Sequence, residues 1–430
     1  MHSSLLLHTI RNHFFPYYAS SSIPHEMLSR NESNPPTTDE THRLHTSGAS
    51  QSAGDGVWEM LMECAEAISR ADWQRAIREL AMLSSNASAQ GDSTERVTFY
   101  FSNALTFRIV QCVGESMAIE TPALIPEQPS NEDIQAAYLA LNQVTPFVRF
   151  AHLTANQAIL EALENEDMAH IVDLDIKQGV QWPPLMQALA ERTRGPPRLR
   201  ISGIGASMDE LEQTGMRLAE FARSLNLPFE FNAVARRIDD FPAAESLRLE
   251  MGEVVAVNCT LQLHRLLHLG SDSLSYVLEM IKALQPKVVA IAEKEASNNQ
   301  SSFVDRLKEA FCYYSAIFDS LEATLPASSS ERLKIEQVML GREIVNIVAC
   351  EDSQRMERHE NFVRWKEFME KTGFSAVAPS TFAVAQAKLL LRLHYPAEGY
   401  KLFEHEDSLF LGWQDRPLLA VSSWHGCSAS

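Results

Sequence analysis

The chain has 430 residues, a formal net charge of −19 and a hydrophobic content of 45%. A chain of this length can bury one large core with an accessory layer, or form two domains. The acidic balance argues against tight, sequence-independent binding to phosphate backbones or anionic membranes, because both need clustered Lys and Arg. The apolar runs are too short to cross a bilayer, and the six cysteines show no metal-ligand or redox spacing. We therefore expect a globular protein of the cytosol or nucleus with reduced thiols.

The N-terminal third divides into two regions of different composition. Residues 1–55 are rich in Ser, His, Pro, Thr and Asn without sustained hydrophobic periodicity, which predicts a disordered tail. Residues 56–166 show helical spacing: a helical hairpin, a third helix after the capping box Asp92–Glu95, and helices at about 131–143 and 147–164. They predict an N-terminal helical cap. Its leucine-rich faces could be core, or could pair with a second copy or another protein.

The first predicted strand, Ala169–Leu174, is an apolar, β-branched run that closes on two carboxylates. A helix follows, with prolines in its first turn. In an open α/β sheet, ligands or partners dock beyond the carboxyl ends of the strands, so the polar residues of this loop are the first functional candidates. They are Asp173, Asp175, Lys177, Gln178 and Trp182. The same residues could instead cap the loop and the helix.

Residues 167–426 alternate between strand and helix patterns and predict an α/β core with a doubly wound, mostly parallel sheet. Four further strands of this sheet are predicted at 198–203, 229–234, 254–258 and 287–292. The C-terminal part predicts one long helix at about 331–371, a strand at Phe374–Ala378, a helix at about 381–393 and a hairpin of Ser408–Trp413 with Pro417–Trp424. A C-terminal antiparallel hairpin on a parallel sheet is a methyltransferase-like outline, which concerns the fold alone.

The sequence lacks the motifs of an enzyme that binds a nucleotide cofactor. Such a site needs a glycine-rich first loop so that the backbone can approach the cofactor, but Asp173–Gly179 holds one glycine. Asn258, after the fourth strand, lacks the prolines and the aromatic residue with which amino-directed methyltransferases hold their target. No Gly-x-Ser-x-Gly, phosphate-loop or His-Glu-x-x-His motif occurs. We expect no catalytic residue, cofactor or metal, although Glu293-Lys294-Glu295 could form an acid/base cluster.

Three leucines, Leu263, Leu266 and Leu267, lie at i, i+3 and i+4 on one predicted helical stripe. Such a stripe can dock into the hydrophobic groove of a partner, or it can be buried against the sheet. No helix-turn-helix, zinc finger or basic zipper is visible, so contact with DNA is expected to be mostly indirect.

Taken together, these features resemble the GRAS family of plant transcriptional regulators. The stretch His170-Ile171-Val172-Asp173, followed by Leu174-Asp175, resembles the VHIID motif of that family. Residues 57–110 and about 200–285 resemble its two leucine-rich regions. Further motif residues are Gln178, Gly179, Trp182 and Pro183 after the VHIID motif, Tyr313, Tyr314, Arg342 and Glu343 in a segment similar to the PFYRE region, and Trp413 and Trp424 in one similar to the SAW region. The likeness covers residues 57–425 in the right order.

Within the family, three segments look most like the lateral suppressor branch, which is associated with axillary meristem formation. They are Leu141–Phe150, Gln178–Leu189 and Ala387–Pro396. The resemblance implies one GRAS domain of cap and core, action in the nucleus, and regulation of transcription through association with other GRAS proteins, as homo- or heterodimers, and with DNA-binding factors. It implies no membrane partner and no enzymatic activity.

Two alternatives remain open at this point. The crevice at Asp173, Asp175, Gln178 and Asn258 could bind a small molecule or retain S-adenosylmethionine-dependent methyltransferase activity. The chain could also bind DNA directly, in which case its affinity would fall steeply with salt.

Overall fold

The computed structural model describes residues 47–113, 129–242, 244–395 and 398–426. Of the predicted tail, residues 1–46 lie outside this range, so the disorder predicted for them stays a prediction. Residues 47–55 are helical, because the first helix begins at Ser47. The boundary at residue 55 was therefore placed too late: a helix that is already nucleated by the packing of Val57 and Leu61 extends at little cost.

In the described part of the helical cap there are five helices. They are α1 (Ser47–Ser69), α2 (Trp73–Ser85), α3 (Ser93–Val113), α4 (Asn131–Val144) and α5 (Pro146–Ala162). The predicted capping box before α3 is present, since Asp92 accepts the amide of Glu95 at 2.9 Å and Glu95 accepts the amide of Asp92 at 2.9 Å. Each cap satisfies an amide that the first helical turn leaves unpaired.

Within the described residues, one sheet of nine strands forms the centre of the core, in the order β3-β2-β1-β4-β5-β9-β8-β7, with β6 also paired to β9. The strands are β1 (Met168–Asp173), β2 (Arg198–Gly205), β3 (Phe229–Ala235), β4 (Val254–Thr260), β5 (Val288–Lys294), β6 (Phe374–Val377), β7 (Tyr400–His405), β8 (Ser408–Trp413) and β9 (Arg416–Gly426). Strands β1 to β5 are parallel and the others antiparallel. The predicted fold class, with its methyltransferase-like outline, is confirmed. Strand β7 was not predicted, because this edge strand buries only one of its six side chains fully and exposes three.

Helices cover the sheet and separate its strands. They are α6 (Trp182–Ala190), α7 (Met208–Ser224), α8 (Ser271–Ala283), α9 (Phe303–Thr324), α10 (Ser330–Ile335), α11 (Gly341–Ala349), α12 (Phe362–Thr372) and α13 (Thr381–His394). A π-helical turn, Glu336–Leu340, joins α10 to α11, and a 3₁₀ helix, Leu263–Leu269, follows β4. None of the described helices combines the length and the apolar composition that crossing a membrane requires.

The single long helix predicted over 331–371 is wrong. The chain leaves the helix after Ala349 and returns to it at Phe362. In between, side chains replace the helical hydrogen bonds: Asn346 Oδ1 accepts the amides of Met356 and Glu357 at 2.8 Å each. The helical periodicity of this segment could not reveal these partners, because they form only in the folded chain.

The cap and the core share one apolar interior. Phe101 of α3 packs against Phe311 and Tyr314 of α9, with ring centroids 5.2 and 6.4 Å apart. The same buried cluster extends to Leu411 of β8 and Val421 of β9. The cap is therefore packed on the α/β core through α9 and is not a separately packed unit.

Candidate functional site

The exit of β1 brings together several of the predicted site residues. Register places Asp173 beside Asn258 of β4, and α6 begins at Trp182 close by. The carboxylate of Asp173 accepts the indole N–H of Trp182 at 2.8 Å and the amide of Asn258 at 3.1 Å. Burial raises the pKa of Asp173 to about 6, against the opposing effect of these two hydrogen bonds.

A chain of side-chain amides extends this network to the cap. Gln181 donates to Asn258 Oδ1 at 3.0 Å and to Asn156 Oδ1 of α5 at 3.1 Å. Gln262 donates to Asp175 Oδ2 at 2.6 Å, and Lys177 Nζ lies 3.5 Å from the same oxygen. Asp173, Asp175 and Lys177 are therefore paired within this network, whereas the side-chain oxygen of Gln178 is buried without a hydrogen-bond partner among the described residues.

Little space remains at this exit. The cavity between Tyr138, His152, Asp173 and Gln181 measures about 20 Å³. That is room for about one water molecule, whereas pockets for small ligands measure roughly 300–1,000 Å³. In this conformation the crevice cannot seat a nucleotide, and the geometry gives no support to the small-molecule alternative at Asp173, Asp175 and Asn258.

The remaining residues in and after the VHIID motif are buried or half-buried. His170, Ile171 and Val172 are buried within β1, where His170 Nε2 lies 2.8 Å from Ser202 Oγ and Nδ1 lies 3.1 Å from Glu253 Oε2. Pro183 is buried in the first turn of α6, and Gln178 is half-buried.

Gly179 is required by its loop. Its φ is +68°, and an added Cβ would lie 2.9 Å from Thr214 Cγ2 of α7. The loop at this point is closed against α7, because Thr214 Oγ1 also donates to the carbonyl of Lys177 at 2.8 Å.

The interpretation of Leu263, Leu266 and Leu267 as partner-binding residues needs correction. They lie on the 3₁₀ helix Leu263–Leu269 and are buried in the core, with exposures of 0, 0 and 7%. The 3₁₀ helix has three residues per turn and lies beside the sheet, so the leucine side chains point into the core. They are not accessible to a partner.

The PFYRE and SAW residues divide between two regions. Tyr313 donates to the carbonyl of Leu418 at 3.0 Å, Tyr314 donates to Glu343 at 2.9 Å, and Trp413 packs in the same hydrophobic cluster. Trp424 belongs to a different cluster, next to Phe362, while Arg342 is exposed on α11.

An open cavity of about 860 Å³ lies between the N-terminus of α3, helix α9 and the β8–β9 hairpin. Four carboxylates and one guanidinium line it, namely Glu295, Glu309, Asp319, Asp415 and Arg416. Trp413 Nε1 donates to Asp319 at 2.6 Å, and Arg416 lies 2.7 Å from Glu309. Burial raises the pKa of Glu295 to about 7. The groove is large enough for a peptide side chain or a short segment, and its lining is acidic.

A second polar cluster, which the sequence did not reveal, lies at the exits of β4 and β5. His264 Nδ1 lies 2.8 Å from Glu293 Oε2, and His264 Nε2 lies 3.2 Å from Glu357 Oε2. His359 Nε2 lies 3.1 Å from the same oxygen of Glu357. The cluster joins three separate stretches of the chain, at His264, at Glu293 and at Glu357-x-His359. The signals in the sequence were Glu293 within the acid/base candidate and the short Glu357-x-His359 spacing.

Charge pairing explains why this cluster tolerates burial. Burial lowers the pKa of His264, but the carboxylates of Glu293 and Glu357 outweigh it and raise the pKa to about 9. Burial lowers the pKa of His359 to about 4. The two histidines hold the pKa of Glu357 well below its usual range despite its burial.

Known proteins with similarity to this chain share most of its length. The profile of the GRAS domain family matches residues 57–425. Scarecrow-like protein 18 of Arabidopsis thaliana is 44% identical over 401 residues, covering 85% of this chain and 90% of that protein. Protein MONOCULM 1 of Oryza sativa subsp. japonica is 41% identical over 400 residues, covering 86% and 88%. The crystal structure of SCL7 in Oryza sativa aligns with a TM-score of 0.76 at 36% identity, over 86% of this chain and 99% of that one.

Proposed function

This chain belongs to the GRAS domain family of plant transcriptional regulators, and on that premise we propose that it acts in the nucleus without catalysis, by associating with DNA-binding factors and with other GRAS proteins. The observation that carries the proposal is the closed exit of β1. Asp173 is paired with Trp182 and Asn258, and the cavity beside it measures about 20 Å³. The sheet is retained, but its usual ligand crevice is filled by the chain itself.

The charge distribution favours delivery to DNA by a partner. The chain carries a net charge of −19. In its densest basic run, Arg198 pairs with Glu250 at 2.6 Å, and Arg200 pairs with Glu230 at 3.1 Å and with Glu253 at 3.2 Å. Arginines already paired with carboxylates release few counterions from a phosphate backbone, so they add little affinity for DNA.

The acidic cavity suits the partner class that this function needs. DNA-binding factors present basic segments, and this concave surface carries four carboxylates, Glu295, Glu309, Asp319 and Asp415, against the one guanidinium of Arg416, an acidic excess that suits such segments. We place the site of association there. The biological setting that we propose is shoot or axillary meristem development, in line with the resemblance of three segments to the lateral suppressor branch.

Chromatin immunoprecipitation of the full chain in plant cells, paired with mobility-shift assays of the purified chain, tests this function. We expect chromatin association in cells and no shift of the recovered DNA by the purified chain at physiological salt. Asp415→Lys in the cavity should reduce chromatin association, whereas Asp272→Lys, on the exposed first turn of α8, should not. Tight binding of DNA by the purified chain, weakening steeply with salt, would establish direct DNA binding instead.

Calorimetry with S-adenosylmethionine tests the absence of catalysis. We expect no saturable heat for the intact chain. Saturable micromolar binding that disappears in Asp175→Ala and persists in Asp272→Ala would show that the crevice opens in solution and that the proposal is wrong.

A further inference from the structure

The cluster of His264, Glu357 and His359 has the geometry of a metal site. One ring nitrogen of each histidine and one carboxylate oxygen of Glu357 can be chosen so that all three atoms lie within 4.8 Å of one another. Glu357 Oε2 lies 3.2 Å from His264 Nε2 and 3.1 Å from His359 Nε2. In a tetrahedral zinc site with bonds of 2.0–2.1 Å, neighbouring ligand atoms lie about 3.3 Å apart. Two of the distances between ligand atoms are therefore already close to those of a zinc site.

Both histidines are oriented by a second partner on the ring nitrogen that faces away. His264 Nδ1 faces Glu293 Oε2 at 2.8 Å, and Glu293 Oε1 accepts the amide of Leu263 at 2.7 Å. His359 Nδ1 lies 3.2 Å from the side-chain amide of Asn298. Such outer hydrogen bonds fix the tautomer and direction of metal-binding histidines.

One ring nitrogen in the cluster is left without a hydrogen bond. His359 is fully buried, and its Nε2, although 3.1 Å from Glu357 Oε2, is not aligned for an N–H···O bond. The Oδ1 atom of Asn298 is also buried without a partner. Turning the Asn298 amide would let Oδ1 accept the Nδ1 proton of His359, which leaves the Nε2 lone pair directed at Glu357 and His264.

We propose that His264 Nε2, His359 Nε2 and the Glu357 carboxylate bind one divalent transition-metal ion of the zinc type, with the fourth position taken by water. Two imidazoles and a carboxylate form a donor set that suits Zn²⁺ and is poorly suited to Ca²⁺ or Mg²⁺, which prefer oxygen ligands. The ion joins the segment between α11 and α12 to the 3₁₀ helix after β4. Its role is to hold that irregular segment against the core.

The alternative is a purely protonic network, in which a protonated His264 bridges Glu293 and Glu357. It accounts for His264 and Glu357, but it leaves His359 Nε2 unsatisfied. The two arrangements differ in a measurable quantity, namely the metal content of the folded chain.

The test uses the full chain, stripped with a chelator and then equilibrated with Zn²⁺. Elemental analysis after dialysis should find about one zinc per chain, and the melting temperature should rise with Zn²⁺ concentration. His359→Gln should lower the stoichiometry to near zero. The control is His268→Gln, which lies on the 3₁₀ helix that carries His264 but outside the cluster, and it should leave one equivalent bound.

A milder variant covers the case in which His359→Gln fails to fold. Glu293→Gln keeps the three ligands, and its remaining side-chain oxygen can still accept the amide of Leu263. The change removes the carboxylate that faces His264 Nδ1, so it should weaken zinc affinity by about 10–100-fold, as the loss of outer hydrogen-bond partners does elsewhere. Substitution with Co²⁺ should give the absorption of a four-coordinate ion. Folded wild-type chain that takes up no zinc, or equal uptake by wild type, Glu293→Gln and His359→Gln, would overturn the proposal.

Discussion

A buried ion pair joins the cap to the core and allows a quantitative test of whether the two unfold together. Arg96 of α3 and Glu336 of the π-helical turn both have side chains with 0% exposure, and Arg96 Nε lies 3.0 Å from Glu336 Oε1. Arg96 Nη1 also donates to the carbonyl of Gly91 at 2.8 Å and pairs with Glu322 at 3.0 Å. Removing the guanidinium leaves the carboxylate of Glu336 buried, with Arg332 Nε 3.8 Å away as a nearby positive charge.

We expect Arg96→Met to lower the free energy of unfolding by about 3 kcal/mol at neutral pH. Removing one partner of a buried ion pair costs roughly 3–5 kcal/mol, and the nearby Arg332 places the value at the lower end. Burial already raises the pKa of Glu336. A carboxyl group with a raised pKa takes up a proton on folding, so the loss should shrink as the pH falls toward 5 and grow as it rises.

Urea denaturation followed by circular dichroism measures this loss. The double variant Arg96→Met with Glu336→Leu should recover most of it, because no buried charge then remains unpaired. Glu322→Gln serves as the control: its side chain is 41% exposed, so the change should cost less than about 1 kcal/mol. A loss below 1 kcal/mol for Arg96→Met, or separate transitions for cap and core, would refute the reasoning.

Three further predictions concern the interior. Gly179→Ala should lower stability by about 1–3 kcal/mol in thermal denaturation, and Gly195→Ala, with a similar positive φ but open space around it, should cost less. Burial raises the pKa of Asp173 to about 6, above its unfolded value, so the free energy of unfolding should fall as the pH rises through about 4 to 6. This decline should be smaller in Asp173→Asn, and the same pH profile in variant and wild type would contradict the assignment. Leu266→Ala should lower the free energy of unfolding by about 2–5 kcal/mol in denaturant titration, because Leu266 is buried. An unchanged free energy would show that Leu266 is exposed in solution.

Regular elements were predictable where periodicity and local capping agree. The strand before Asp173 and the capping box at Asp92–Glu95 are visible in the sequence, because a buried parallel strand needs a short apolar run and a helix start needs nearby acceptors. The segment from Ala349 to Phe362 was not predictable, because Asn346 supplies its hydrogen bonds only after folding.

The sequence by itself determined the order of the five parallel strands, the acidic charge and the scarcity of glycine in the first loop, since these depend on local pattern and composition. Tertiary structure alone decided which polar side chains meet: Asp173 with Asn258, and His264 with Glu357 and His359. These pairs are separated by long stretches of chain, and only the register of parallel strands and the path of the returning segment bring them within hydrogen-bonding distance. That is why the closed exit of β1 could be expected from the loop sequence, whereas the histidine cluster could not.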